Sequence, residues 1–150
     1  EMLRSLVGSE MCIRDSLKGA YFLSQKFLRM YEKKHRNGGS ILFLSSERGH
    51  YADDLPYGLI KAAINSLTQG LAKMLIHSNI RINAIAPGIT TTDMTGITKD
   101  DIYADDYSTG RYYLPEEVAE VACFLVSDAS SCLSGQIIIC NNGDSINYRK

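Results

Sequence analysis

Apolar and polar residues along this chain fall into blocks, and the period of each block predicts an element. From Leu17 to Tyr31 the residues Leu17, Ala20, Tyr21, Leu23, Phe27, Leu28 and Tyr31 recur at helical spacing. Lys33, Lys34 and Arg36 put positive charge on the last carbonyls of that helix, and Asn37-Gly38-Gly39 stops it. Ser40–Ser45 (SILFLS) is a short unbroken apolar run, the pattern of a strand covered on both faces. Pro56 opens a long amphipathic helix whose main stripe is Ile60, Ile64, Leu67, Leu71 and Leu75. Asn79–Ala86 (NIRINAIA) reads as the next strand, ended by Pro87-Gly88. Residues 89–114 show no period and form a long polar and aromatic loop of the kind that carries function. Pro115-Glu116-Glu117 starts another helix with acidic residues at its positive dipole end. Gln136–Cys140 (QIIIC) reads as a last buried strand, ended by Asn141-Asn142-Gly143. The order α-β-α-β-loop-α-β predicts an α/β fold, a parallel sheet with right-handed crossovers and helices on both faces.

Composition narrows the function classes. The chain has 150 residues, one domain's worth, which can bury enough surface to need no disulfide or metal staple. With 45% hydrophobic and 22% charged residues it is an ordinary globular chain. Sixteen Lys plus Arg against 17 Asp plus Glu gives a net charge of −1, which provides no basic field for nucleic acid or an anionic membrane. Cys12, Cys123, Cys132 and Cys140 lack CxxC or Cys/His ligand spacing, so no metal site is expected and they read as small core residues in a reducing compartment. No apolar run approaches the ~20 residues of a membrane span and no signal peptide opens the chain, so the expected location is cytoplasmic.

Glu1–Ser16 carries none of this patterning. Within it, Leu6–Ser16 (LVGSEMCIRDS) reads as the conceptual translation of a transposase adapter used in sequencing libraries. Residues 1–16 are therefore expected to be an artefactual tail, and residues 17–150 a partial domain.

Three motifs carry chemistry. Tyr57-x-x-x-Lys61 places a phenol and an ammonium one helical turn apart on one face. A lysine in that place favours the phenolate form of a tyrosine, which can then exchange a proton with a substrate hydroxyl. Ser45-Ser46-Glu47-Arg48-Gly49 follows the strand SILFL directly, and in open α/β sheets ligands sit at the carboxyl ends of strands. A serine hydroxyl there can polarise a carbonyl oxygen. In Asn83–Met94 (NAIAPGITTTDM), the Pro-Gly turn leaves backbone groups free at the same crevice, where they could hold an amide, with Thr92 adding a hydroxyl. Taken singly, each motif also fits a structural part: a helix-start tyrosine with a solvated lysine, a strand-capping serine pair, an ordinary strand exit.

Taken in order, these segments resemble the short-chain dehydrogenase/reductase family, most closely its 3-oxoacyl-(acyl-carrier-protein) reductases. The resemblance runs from about Leu17 to Gly143. SILFLSSERG resembles the strand-plus-serine segment, Tyr57–Lys61 the YxxxK, and RINAIAPGITTTDM the NAxxPGxxxT segment. GRYYLPEEVAEVACFLVSDASSCLSGQIIICNNG is similar to the closing helix and strand. The resemblance implies the C-terminal half of a Rossmann-type, doubly wound NAD(P)-binding domain. It implies hydride transfer between NAD(P)H and a ketone or secondary alcohol, a 3-oxoacyl thioester among the candidates. Ser46 would polarise the carbonyl and Tyr57 would be the acid in reduction. Lys61 would tune Tyr57 and bond the nicotinamide ribose. The backbone of Ile89 and Thr90 with the Thr92 hydroxyl would hold the carboxamide, and Pro87 and Gly88 would belong to the same coenzyme site. The loop 93–114 would be a substrate lid that Tyr103, Tyr107 and Tyr112 could line. Family members imply a homo-oligomer, a dimer or tetramer built on the helices matching 17–36 and 57–78.

The departures matter equally. The family's Gly-rich phosphate loop, its NAD-or-NADP selector and roughly three βα units of ~30 residues each have no counterpart here, so the chain as written is expected to be inactive. The family's catalytic Asn would fall at Ser16. The Ser46–Tyr57 segment is slightly short, and Cys140-Asn141-Asn142-Gly143 stands where the family often has an acidic residue and two glycines. Two alternatives stay open: a non-catalytic interaction or regulatory module on the same fold, and an epimerase-type member.

Overall fold

The computed structural model describes residues 13–34, 38–105 and 107–146. Helix α1 is Gly19–Lys33, entered through a π-helical turn at Ile13–Lys18. Strand β1 (Gly39–Leu44), helix α2 (Pro56–Met74), strand β2 (Ile80–Pro87), helix α3 (Pro115–Val126) and strand β3 (Ile137–Cys140) follow in chain order. All pairing is parallel, in the order β1-β2-β3. The predicted α/β architecture, part of a Rossmann-type domain, is therefore the observed one.

Strand alternation decides what each face meets. On one face Ile80, Ile82 and Ala84 of β2 join Phe43, Ile64 and Ala72 in a buried cluster. Leu17, Ala20 and Leu28 from the first helical segment and Leu67, Leu71 and Leu75 from the second complete it. Arg81, between Ile80 and Ile82, turns to the other face. Its guanidinium donates to the carbonyls of Leu125 (3.0 Å), Ser127 (2.9 Å) and Ser130 (3.0 Å) at the end of α3. A cation there meets the negative end of the helix and satisfies carbonyls that the helix leaves unbonded. Leu125, whose carbonyl joins this network, is fully buried. So α1 and α2 cover one face of the sheet and α3 the other.

Several expectations need correction. Only β2, with a neighbour on each side, is buried along its length. Along β1 only Phe43 is buried and Leu44 is 61% exposed, while β3 is half-buried throughout, because each pairs on one side among the described residues. On α1, Tyr21, Leu23 and Phe27 face outward although their spacing matches the packed residues. On α2 the deepest stripe is Ile60, Ile64, Thr68 and Ala72, one position round from the leucines, with Thr68 returning its hydroxyl to the Ile64 carbonyl at 2.8 Å. Cys123 and Cys132 are exposed rather than core, and Cys140 is half-buried, which pushes its thiol pKa up. The helix-stop residues Arg36 and Asn37, Cys12 and most of the adapter-like segment lie outside the described residues. Ile13–Ser16 of that segment take part in the π-helical turn, which their pattern did not suggest.

Replacing Arg81 by Met keeps the aliphatic bulk but leaves three carbonyls without their charged donor. The expected loss is about 1–3 kcal/mol of unfolding free energy, read as a lower urea midpoint at unchanged slope.

Candidate active site

The carboxyl ends of β1 and β2 open into a cavity of about 540 Å³. Its wall includes Ser46, Tyr57, Lys61, Pro87, Gly88, Ile89, Thr90 and Thr92, so the residues expected to act on substrate or coenzyme, the lid tyrosines excepted, arrive at one place. Ser16 also lies in this wall, at the position where the family resemblance puts an Asn.

Ser46 leaves β1 in extended conformation and caps a single 3-10 turn, Glu47–Gly49. Its Oγ accepts from the Arg48 backbone at 3.3 Å, which leaves the hydroxyl proton available for a carbonyl oxygen. The turn then presses on α2. A Cβ at Gly49 would lie 2.6 Å from the Lys61 carbonyl carbon, so only glycine permits the approach. Asn65 staples the two together: its Nδ2 donates to the Gly49 carbonyl at 2.9 Å and its Oδ1 accepts from Ser45 Oγ at 2.6 Å. The sequence reading passed over Asn65. Its spacing, four beyond Lys61 and eight beyond Tyr57 on the same helix face, was the available signal.

Pro56 takes the first position of α2, where its missing N–H costs nothing, and so places Tyr57 in the first turn. Lys61, one turn on, is 8% exposed. Its Nζ donates to the Leu44 carbonyl at 3.0 Å and lies 5.5 Å from the centre of the Tyr57 ring. A buried ammonium needs such acceptors.

At the exit of β2, Gly88 N–H donates to the Cys140 carbonyl at 3.0 Å. A Cβ on Gly88 would meet Asn141 Cβ and Tyr113 Cε2 at 3.0 Å and Glu47 Oε2 at 3.2 Å. The next residues are less open than expected. Tyr113 N–H donates to the Ile89 carbonyl and Thr91 N–H to the Tyr113 carbonyl, both at 2.9 Å, which zips the start of the loop 89–114 to its end. The Ile89 carbonyl keeps one further acceptor place. Thr92 is exposed, and Thr95, whose Oγ1 donates to the Thr90 carbonyl at 2.8 Å, is a second wall hydroxyl that the sequence did not single out.

Glu47, also part of this wall, is buried and its Oε2 accepts from Asn141 Nδ2 at 2.8 Å. Burial first, then the Glu47 charge and its hydrogen bond, push the Tyr51 phenol up to about 12. Tyr107 is likewise pushed up, by burial and then by Glu47. Asn142 adopts φ +52 and Gly143 φ +83, the left-handed region that Asn and Gly tolerate best. Asn142 therefore meets the same backbone demand as a glycine.

In the long loop Tyr107 stacks against Tyr112, with ring centres 5.4 Å apart, and Tyr103 is 78% exposed. Beyond Thr92 the cavity wall takes Met94 and Thr95 from this loop, and Tyr103, Tyr107 and Tyr112 are not among its residues. The loop returns to α3 through Arg111, whose guanidinium forks onto Glu117 at 2.6 and 2.9 Å. Glu117 Oε2 also accepts from Leu114 N–H at 2.8 Å. Arg111 first, then the Leu114 amide, lower the Glu117 carboxyl from 4.5 to about 2.

Residues 6–145 match a family model described as Enoyl-(Acyl carrier protein) reductase, a match that begins inside the adapter-like segment. The 3-oxoacyl-(acyl-carrier-protein) reductase of Aquifex aeolicus (strain VF5) is 35% identical over 144 residues, 93% of this chain and 57% of that protein. The NAD-dependent glycerol dehydrogenase of Listeria innocua serovar 6a is 36% identical over 137 residues, 87% of this chain and 53% of its own. The solved structure of acetoin dehydrogenase from Salmonella typhimurium superposes with a TM-score of 0.75 at 28% identity, covering 89% of this chain and 54% of that one. The chain thus spans about half the length of the relatives it matches.

The loop anchor at Glu117 carries a pH signature. Its folded pKa is depressed, so its stabilisation is fully present above about 4.5 and is lost as pH falls toward about 2. The melting temperature of Glu117→Gln should therefore lie below wild type at neutral pH, and the difference should close across that window. The size of the gap is modest because the pair is solvent-accessible.

Proposed function

The chain belongs to the short-chain dehydrogenase/reductase family, and we propose that its protein transfers hydride between a nicotinamide coenzyme and a ketone or secondary alcohol, a 3-oxoacyl thioester being one candidate substrate. One observation carries this reading. Tyr57 and Lys61 share one face of α2, and that face forms a cavity wall with Ser46 and the Pro87–Thr90 turn.

The residues fit such a coenzyme. The cavity lies outside the carboxyl ends of parallel strands and is of ordinary ligand size. Its donors include the Lys61 ammonium, side-chain hydroxyls and main-chain groups. Lys61 would hold the ribose, and the backbone of Ile89 and Thr90 with the Thr92 hydroxyl would hold the carboxamide. The nicotinamide, when bound, supplies or accepts the hydride.

The chain's own groups handle the proton and the carbonyl. The Ser46 hydroxyl donates to the substrate oxygen, polarising the carbonyl and holding it in place. Tyr57 then delivers its phenolic proton to the oxygen as negative charge builds there. The Lys61 ammonium faces the phenolate left behind and stabilises it. In oxidation the same groups run in reverse, with Tyr57 receiving the hydroxyl proton.

Within this reading residues 17–150 are the substrate-side part of the domain and residues 1–16 the adapter-like segment. The protein is a cytoplasmic homo-oligomer. The exposed Tyr21, Phe22 and Leu23 of α1 and Leu59 of α2 support that association, since apolar side chains outside the core are candidates for burial against a second copy.

Steady-state kinetics on the full-length protein over a panel of ketones test the assignment. Tyr57→Phe should cut turnover by ~10²–10⁴-fold with coenzyme affinity nearly unchanged. Lys61→Ala should damage both turnover and coenzyme binding, and Ser46→Ala turnover alone. Near-normal turnover in Tyr57→Phe would sink the reading and favour a non-catalytic module.

A further inference from the structure

The turn carrying Ser46 and the helix carrying Tyr57 are joined by side chains as well as by the main chain. Arg48, whose N–H reaches Ser46 Oγ, forks its guanidinium onto Asp53: Nε to Oδ2 at 2.7 Å and Nη2 to Oδ1 at 2.8 Å. Asp53 Oδ1 also accepts at 2.9 Å from the N–H of Leu55, the N-cap of α2. The Leu55 amide first, then Arg48, hold the Asp53 carboxyl below the ordinary carboxylate range. Arg48 itself stands in the cavity wall beside Ser46.

The far side of Asp53 rests on Gly58, the residue after Tyr57. A Cβ at position 58 would lie 1.9 Å from Asp53 Oδ2 and 2.5 Å from Asp53 Cβ. The Asp53 side chain, 4% exposed, has no slack to withdraw while it keeps both bonds to Arg48. Gly58 is absent from the residues with left-handed φ, so space rather than backbone conformation is what requires glycine here. Glycine is a poor helix former, and α2 carries it in its first turn. The contact with Asp53 gives that choice a physical reason.

We propose that Asp53 is a positioning residue: seated on Gly58 and forked to Arg48, it sets the separation of the Ser46 hydroxyl and the Tyr57 phenol at the reacting carbonyl. The proposal rests on the function given above. It extends that function from the groups that touch substrate to the clamp that spaces them. A displacement of ~1 Å between reacting groups is enough to cost ~10²-fold in rate.

Two measurements test it. In the full-length protein, Gly58→Ala evicts the carboxylate and should lower kcat on a ketone by about ten- to hundredfold, with KM moved by less than about threefold. Asp53→Gly should lower kcat about tenfold. The double variant should be no slower than Asp53→Gly, because a methyl at position 58 then meets nothing. Losses that multiply, or a normal kcat in Asp53→Gly, overturn the proposal. If Gly58→Ala does not fold, Arg48→Met leaves position 58 untouched and must still lower kcat about tenfold, and an unchanged kcat overturns the clamp. Independently of activity, amide hydrogen exchange at Leu55 should speed up in both Asp53→Gly and Gly58→Ala. A Leu55 amide as protected in Gly58→Ala as in wild type overturns the proposal. If the wild-type protein turns over no ketone, the function fails, and Leu55 exchange alone decides whether the clamp stands.

Discussion

The hydrogen bond from Lys61 Nζ to the Leu44 carbonyl joins the sheet to the chemistry. Leu44 is the last residue of β1 and Lys61 lies one turn into α2, so this bond fixes the helix against the strand end at the depth where Tyr57 faces the cavity. The ammonium is buried, so it must keep an acceptor, and the Leu44 carbonyl is one. Gly49 and Asn65 reinforce the same contact from the other side, one by allowing the turn to touch α2 and the other by bonding its carbonyl. Ser46 is thereby held between two elements that cannot separate without exposing a buried charge.

The second wall depends on the exit of β2. Gly88 passes so close to Asn141, Tyr113 and Glu47 that a side chain would displace one of them. Tyr113 pairs with both Ile89 and Thr91, which brings the end of a long aperiodic loop back to its beginning. Arg111 and Glu117 then attach that loop to α3. The cavity is thus bounded by groups whose positions follow from strand ends, and beyond Thr92 the loop contributes Met94 and Thr95 rather than its tyrosines.

Much of this was legible in the order of residues. Among the described residues periodicity located the three α-helices and three strands to within a residue or two, because apolar spacing reports which face of an element leaves water. The pairing of Tyr57 with Lys61 needed only the helical repeat. The Pro-Gly after NAIA and the serines after SILFL were recognisable because strand ends are where an open sheet binds ligands. These are local relations, and a chain states its local relations directly.

What remained hidden depended on contacts between distant segments. Leucine spacing on α2 could not tell that Thr68 and Ala72 lie deeper than Leu67 and Leu71, because the sheet's position decides which edge of an apolar stripe is covered. Nor could the run SILFLS reveal that Leu44 is exposed, since coverage belongs to the neighbours. Glu47 meets Asn141 across 94 positions of sequence, and Asn65 meets Gly49 across 16. Arg81 reads as an oddity in a strand until the end of α3 supplies its carbonyls. The sequence by itself determined the elements, their order and the chemical groups at the strand ends. Only the tertiary structure decided the spacing of those groups, because spacing comes from side chains that are far apart in the chain and must exclude or bond one another.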